Sequence, residues 1–253
     1  MNAVEEFAAV GPLLPDGIRL FIREEIDSTN DEVRRLANAG AADGAVVIAN
    51  RQISGRGRRG AAWVCPPGEA LAFSVLVRPV EPVGLWPRLA LAAGLAVAEA
   101  LELHGVTAGI KWPNDVWIDG RKVCGVLVES GGNHVVIGIG VNVNVGEFPA
   151  ELADSATSLR LETGEPVDRA GVFAEILRRL DIRRHQIGAD FPLLLDAVRS
   201  RCVLTGERIR LVSADGPREG FCEGIGAGGE LLLSVDGQIE RLLQADEVRV
   251  VGR

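Results

Sequence analysis

Lysine is almost missing from this chain. Of its 27 basic residues only Lys111 and Lys122 are lysine, and the other twenty-five are arginine. Arginine is a planar, permanently charged fork, whereas lysine is a compact ammonium on a flexible stem. Two lysines confined to the segment Ile110–Gly125 therefore point to a need for ammonium geometry there, with drift in composition as the alternative. Cysteine is also scarce. Cys65, Cys124, Cys202 and Cys222 are scattered without a C-x-x-C pair, which argues against a disulfide framework or a zinc site and for reduced thiols in a cytosol. Positive charge is in deficit overall: the net charge of −8 argues against a general nucleic-acid binder, whose affinity comes from phosphate neutralisation. A local basic cluster can still hold a small anion. Long hydrophobic runs are lacking too. The most apolar helix, Leu89–Leu103, is interrupted by Glu99 and Glu102 and is too short for a bilayer. Residues 1–17 carry Glu5 and Glu6 and lack the cationic start and apolar core of a signal peptide. A cytoplasmic protein without a membrane partner is expected.

What is present is ample material for a core: 253 residues, 47% of them hydrophobic, enough for one large domain or a domain with a small appendage. The patterning predicts a strand over 18–25, then a helix from Ser28-Thr29-Asn30 to about Ala39. Its signals are a capping oxygen and the acids Asp31 and Glu32 in the first turn. Strands at Ala45–Asn50 and Leu71–Val77 flank a loop, Arg51–Pro67, rich in glycine and arginine. The Leu89–Leu103 helix follows, closed by Gly105. Strands are predicted at Ala108–Lys111, Val116–Ile118, Val123–Glu129 and Val135–Val145, with Asp119-Gly120 as a hairpin turn. Residues 146–165 read as a long polar connection, and helices as Asp168–Ile187 and Pro192–Arg201. After Thr205 short alternating segments are separated by Asp215-Gly216, Gly228-Gly229 and Asp236-Gly237. The fold class is α+β: a mixed β-sheet domain with flanking helices over 1–203, and a small SH3-like β-barrel over 204–253.

Chemistry concentrates in a few segments. Gly55, Gly57 and Gly60 match G-x-G-x-x-G, but no helix follows, so a Rossmann dinucleotide site is rejected. No Gly-Lys-Ser/Thr ends the glycine run, which removes a P-loop. A serine hydrolase fails because His104, His134 and His185 have no G-x-S-x-G partner. There remains a loop carrying Arg56, Arg58 and Arg59 with no acid, able to fold over an anion or to stand as a solvated basic segment. Lys111-Trp112-Pro113-Asn114-Asp115 breaks a strand at a polar turn. Asp115 could bind Mg²⁺ beside phosphates, or the segment is an ordinary turn. Asn142, after Gly138 and Gly140, reads as a reader of an adenine edge or as a side chain satisfying its own backbone.

In order along the chain stand Ser28-Thr29-Asn30, Gln52-x-x-Gly-Arg-Gly-Arg-x-Gly, Lys-Trp-Pro-Asn-Asp, Arg-Lys-x-x-Gly-x-Leu-Val-Glu, Gly-x-Gly-x-Asn-Val and Ala156-Thr157-Ser158-Leu159. With these the chain resembles the biotin–protein ligases, the biotin–[acetyl-CoA-carboxylase] ligases, from about residue 18 onward. The resemblance implies a class II tRNA-synthetase-like catalytic fold. It implies a two-step reaction in which biotin and MgATP give biotinyl-5′-AMP and a lysine of a biotin carboxyl carrier protein then takes the biotinyl group. It further implies Ser28, Thr29, Asn30 and Gln52 on the biotin ring, and Arg56, Gly57 and Arg58 in the loop over the adenylate. Trp63 and Gly125 would pack at the closed site, with Lys122 on the biotin carboxylate and Lys111 on the α-phosphate. Asn114 and Asn142 would serve the nucleotide, leaving Lys111, Lys122 and Arg56 as the catalytic group.

The chain departs from the pattern at Gly60-Ala61-Ala62-Trp63, where the family commonly has a further arginine. Relatives that repress transcription carry an N-terminal winged helix-turn-helix domain. The roughly seventeen residues before the first strand are too few for it, so DNA binding is not expected; the family includes monomers and dimers, and the residues leave the choice between a monomer and a homodimer open. The rival readings are a lipoate–protein ligase-type acyltransferase and a non-catalytic binder of biotin or of the carrier.

Overall fold

In the computed structural model, which describes residues 3–213 and 216–252, the chain runs α1 (Ala3–Ala8), β1 (Arg19–Ile26), α2 (Thr29–Asn38), β2 (Ala45–Gln52), β3 (Ala70–Val77), α3 (Arg88–Glu102), β4 (Gly109–Lys111), β5 (Asp115–Ile118), β6 (Arg121–Gly131), β7 (His134–Asn142), α4 (Leu159–Thr163), α5 (Arg169–Arg184) and α6 (Phe191–Arg199). The strands β8 (Arg208–Ser213), β9 (Gly216–Ile225), β10 (Leu231–Val235), β11 (Gln238–Leu242) and β12 (Asp246–Val250) complete it. The fold is mixed α+β. A seven-stranded sheet has the order β1-β2-β3-β7-β6-β5-β4, and a five-stranded sheet has the order β11-β10-β9-β8-β12. Only β1 and β2 run parallel in the first sheet, since α2 carries the chain back between them. The second sheet is antiparallel throughout.

Alternation along the strands separates two faces. On β3 and β7, Leu71, Phe73, Val75, Ile137, Ile139 and Val141 join the main core with α3, α5 and α6. Leu76 and Val136 face the other way, where Val33 and Ala37 of α2 cover them. That second face is where the sequence also writes Ser74, Gly138, Gly140 and Asn142. A strand that changes from valine to glycine on one face only leaves a trough there. The inner residues Ile209, Leu211, Leu231 and Leu233 of the second sheet are continuous with the main core.

Several expectations need amendment. The polar connection over 146–165 contains the short helix α4, and Ala156 within it forms a parallel bridge to Lys122. The predicted helix to Ile187 ends at Arg184 and continues as a 3-10 turn. The helix α1 (Ala3–Ala8) and the strand β12 (Asp246–Val250) have no counterpart among the expected elements. The Ser28 hydroxyl makes no cap hydrogen bond. Instead Gln52 Oε1 accepts from Thr29 N at 2.9 Å and Thr29 Oγ1 at 3.1 Å, so β2 caps α2 from outside. Asp119 (φ 46°) with Gly120 (φ 78°), and Asp236 (φ 50°) with Gly237 (φ 79°), form the predicted turns with both central residues left-handed. The Asp215-Gly216 turn signal falls partly outside the described residues.

Candidate functional site

The trough on the α2 face is a cavity of about 570 Å³, within the range of small-molecule sites. At its polar end lie Ser28, Thr29 and Asn30, all buried at the start of α2. Ser74 Oγ sits 2.7 Å from Thr29 Oγ1 and 2.5 Å from Asn30 Oδ1, so its one proton serves either neighbour. Asn30 Nδ2 donates to Glu129 Oε2 at 2.7 Å. A buried network of this kind fixes its rotamers because each lost bond leaves a desolvated polar atom.

The roof is the arginine–glycine loop, and it is ordered as a hairpin. Trp63 N donates to Gly55 O at 2.9 Å, Gly57 N to Ala61 O at 2.6 Å, and a 3-10 turn at Arg58–Gly60 closes the tip. Gly55 is required there: a Cβ on it would overlap the Trp63 carbonyl. Two arginines pin the hairpin on opposite sides. Arg56 Nη2 donates to Asp31 Oδ1 at 2.6 Å, which holds the Asp31 carboxyl below its ordinary value, Arg34 adding to the effect. Arg58 donates to Asn114 Oδ1 at 3.2 Å, to Ala245 O at 3.1 Å and to Asp246 Oδ1 at 3.3 Å, tying the roof to the C-terminal segment. The side chain of Arg59 lies outside the described set. The missing family arginine at Ala61 is not needed for the hairpin, because its closing bond is made by backbone.

Trp63 lies against the floor. A Cβ on Gly140 would overlap its indole, and one on Gly125 would sit 3.4 Å from the ring and 3.1 Å from Lys122 Nζ. Glycine at 125 and 140 thus makes room for a flat ring on the sheet. The indole Nε1 is buried with no partner among the described residues.

The two lysines part company. Lys122 lines the cavity, its Nζ 2.8 Å from Asp115 Oδ1 and 5.9 Å from the Trp63 ring centroid. Its backbone is clamped by Lys122 N to Ser155 O (2.8 Å) and Thr157 N to Lys122 O (2.9 Å). This gives Ala156-Thr157-Ser158-Leu159 its task, with Ser158 Oγ capping α4 by accepting from Leu161 N. Lys111 lines neither this cavity nor the one beside it. It pairs with Asp115 across β4 and β5, and its ammonium stands 4.3 Å from the Trp117 ring centroid. Burial pushes its pKa down, with Lys122 and Arg249 adding and Asp115 opposing. The expectation of two lysines in one anion pocket becomes two lysines flanking one carboxylate, with only Lys122 at the cavity. Asn142 is also off the cavity wall, donating Nδ2 to Thr157 O at 3.0 Å.

Of the predicted residues, the structure gathers Ser28, Thr29, Asn30, Gln52, Arg56, Gly57, Arg58, Trp63, Asn114, Asp115, Lys122 and Gly125 around one cavity. Ser74, Asp31, Glu129 and Asp246 were missed. Ser74 had a readable signal, as the single polar residue in the wholly buried strand Ala70–Val77. Such a site suits the capture of a small acid under a cover and its activation with a nucleotide, the work of ATP-dependent acid ligases.

The comparisons place that class. The model of the Biotin/lipoate A/B protein ligase family matches residues 23–142. The chain is 36% identical to the bifunctional ligase/repressor BirA of Bacillus spizizenii over 239 residues, 91% of this chain and 74% of the relative. It is 35% identical to the biotin–[acetyl-CoA-carboxylase] ligase of Mycobacterium tuberculosis over 240 residues, covering 92% and 89% respectively. Among solved structures, the biotin protein ligase from Aquifex aeolicus in complex with biotin and ATP superposes with a TM-score of 0.83. Identity there is 34%, over 92% of this chain and 99% of that one. The chain belongs to the biotin/lipoate A/B protein ligase family and stands with its biotin–protein ligases.

Proposed function

We propose that this chain joins biotin to ATP as biotinyl-5′-AMP and passes the biotinyl group to one lysine of a biotin carboxyl carrier protein or domain. The observation that carries the reading is the seat under the hairpin. Hydroxyl and amide groups of Ser28, Thr29, Asn30 and Gln52 converge at one end, an indole lies on a glycine floor, and an ammonium stands at the far wall. A cyclic urea needs donors and acceptors together, an aliphatic tail needs an apolar wall, and a carboxylate needs a cation.

In the first step a carboxylate oxygen attacks the α-phosphorus, an acyl–phosphate C–O–P link forms and the bond to pyrophosphate breaks. Two anions must meet, so positive charge placed beforehand lowers the barrier. Lys122 is that charge at the carboxylate, and Arg56 and Arg58 hold the roof that keeps water from the anhydride. Lys111 toward the α-phosphate, and Asn114 and Asn142 toward the nucleotide, rest on position. Lys111 faces Asp115 across the strands, and Asn142 follows Gly138 and Gly140 on the same face of β7. Asp115, paired with Lys122, would be the β5 carboxylate to hold Mg²⁺ beside substrate phosphates, and the ion would supply charge neutralisation there. In the second step the carrier amine attacks the acyl carbon, the amide forms, AMP leaves and the amine proton passes to solvent.

Residues 1–203 act in this reading as the catalytic unit and 204–253 as an appended barrel. The net charge of −8 supports action without DNA, the free cysteines support a cytoplasmic setting, and the edges at β1 and β4 offer a pairing surface for a second copy. Among the described residues no helix is long and apolar enough to cross a membrane. Pyrophosphate exchange into ATP, measured with biotin and with lipoate, tests the reading. Exchange with biotin is expected. Exchange with lipoate alone assigns the rival acyltransferase, and none with either leaves a binder.

A further inference from the structure

Glu129 closes the run Arg-Lys-x-x-Gly-x-Leu-Val-Glu but does not line the cavity, and neither does Arg34. Their contacts lead to residues that do. On a helix, positions three and four apart are neighbours on one side. Asn30 and Arg34 of α2 therefore reach the same carboxylate on β6: Asn30 Nδ2 stands 2.7 Å and Arg34 Nη2 3.0 Å from the one oxygen Glu129 Oε2. Arg34 Nη1 donates to Asp31 Oδ1 at 2.8 Å, and that oxygen also accepts from Arg56 Nη2 of the roof at 2.6 Å. A continuous line runs Asn30–Glu129–Arg34–Asp31–Arg56, from the polar end of the seat to the hairpin above it.

Two joints of this line are single oxygens with two donors each. An ionised carboxylate only accepts, so Glu129 also decides the orientation of the Asn30 amide. Nδ2 must turn toward Glu129, which leaves Oδ1 to the Ser74 hydroxyl 2.5 Å away. A Cβ on Gly138 would stand 2.2 Å from that Oδ1, so the bare glycine lets the amide rest on the floor of the seat, where a ligand ring meets it. At the other end, the Asp31 hydrogen bond stabilises the Arg56 cation against its partial burial, and the charge of Glu129 is felt there as well. Each ion pair alone is weak, since exposure is 30% at Glu129 and 40% at Arg56. Arg34 is the member that serves both shared oxygens, so removing it frees both at once.

Resting on the activity proposed above, we infer that Arg34 and Glu129 are positioning residues that tie closure of the roof to occupation of the seat. Biotin held against Asn30 fixes the amide, the amide fixes Glu129, and Arg34 carries the constraint to Asp31 and so to Arg56. Neither residue touches the acid or the nucleotide. By linkage, the factor by which biotin favours the closed roof is the factor by which the closed roof tightens on biotin.

The roof carries its own probe, because Arg56, Arg58 and Arg59 are sites for trypsin. The quantity read is the rate of tryptic cleavage within the loop, followed by peptide mass in the whole chain, without and with saturating biotin. The ratio of the two rates is the protection. Arg34→Ala removes the central donor, and Glu129→Gln keeps shape while removing charge, so it serves if the first variant folds poorly. Arg35→Ala is the control: it removes a cation from the same helix whose partner is Glu32, off the line. Protection by biotin is expected in the unmutated chain, with a loss of about threefold in Arg34→Ala and Glu129→Gln and none in Arg35→Ala. Unchanged protection in Glu129→Gln, an equal loss in Arg35→Ala, or no protection in the unmutated chain overturns the inference. Biotin-dependent pyrophosphate exchange is measured alongside. Exchange with unaltered protection in the variants removes the relay alone, whereas altered protection without exchange in the unmutated chain removes adenylation and leaves the relay standing.

Discussion

At the scale of single residues, the scarcity of lysine resolves into two different environments around Asp115. Lys122 holds its ammonium 2.8 Å from that carboxylate and against Trp63, in a space bounded by the bare Cα atoms of Gly125 and Gly140. A guanidinium is wider and its fork is planar, so Lys122→Arg should displace the indole or lose the Asp115 contact. Adenylate formation is expected to fall by about a hundredfold, the scale of one lost transition-state donor, although the charge is kept. Undiminished turnover would mean that charge alone is needed. Arg56 acts differently, through Asp31. Arg56→Ala should speed leakage of the adenylate from the unreacted enzyme by severalfold, and Asp31→Asn should do the same. The two together should add little beyond either alone, as for partners in one contact. A released-adenylate assay in which the effects simply add would dissolve the pair.

At the scale of elements, the site is built from one face of one sheet. Strands β3 and β7 place Ser74, Gly138 and Gly140 beneath α2 because the face changes with every residue. Helix α2 brings its uncapped hydroxyl end to that face, its first amide being capped by Gln52 from β2. Ser74→Ala removes the proton that serves Thr29 and Asn30, in a fully buried position. Loss of about 1–3 kcal/mol of folding stability is expected, with weaker biotin binding, read by urea unfolding and calorimetry. Unchanged biotin affinity would separate the network from the ligand. The glycine floor, the Ser-Thr-Asn end and the arginine loop were all legible in the sequence, since each is a short run with unusual local chemistry. Asp246 was not, because its meaning lies in a partner far along the chain: Arg58 meets Asp246 across 188 positions.

At the scale of the whole molecule, stability and surface chemistry carry consequences of their own. His134, at the start of β7, is buried, and its Nε2 has no partner among the described residues. Burial, with Arg78 and Arg34 nearby, pushes its pKa below the ordinary 6.5. The unfolded chain then binds the proton more readily, so stability is complete above pH 6.5 and is lost as pH falls through the folded value. Denaturant midpoints at pH 7.5 and pH 5.5 should show this drop. In His134→Gln the part due to this residue should vanish, and an identical slope in the variant would assign it to other groups. The near absence of lysine also limits self-acylation. With biotin and ATP but no carrier, the amines available are Lys111, Lys122 and the terminal α-amine, whose lower pKa of about 8 leaves more of it unprotonated. Peptide mapping should find biotin there and on no other residue, and acylation elsewhere would contradict the reading.

The amino-acid sequence by itself determined the mixed α+β class, the hairpin turns and most of the cavity's residues, because these depend on periodicity and on side-chain types close together in the chain. Tertiary structure alone decided which of two lysines meets the cavity. Lys111 on β4 and Lys122 on β6 sit on the two strands that flank Asp115 on β5, and strand register, invisible in spacing, turned one toward Trp117 and the other toward the glycine floor. It decided likewise that Arg58 reaches the C-terminal segment, since that contact exists only once the second sheet packs against the first.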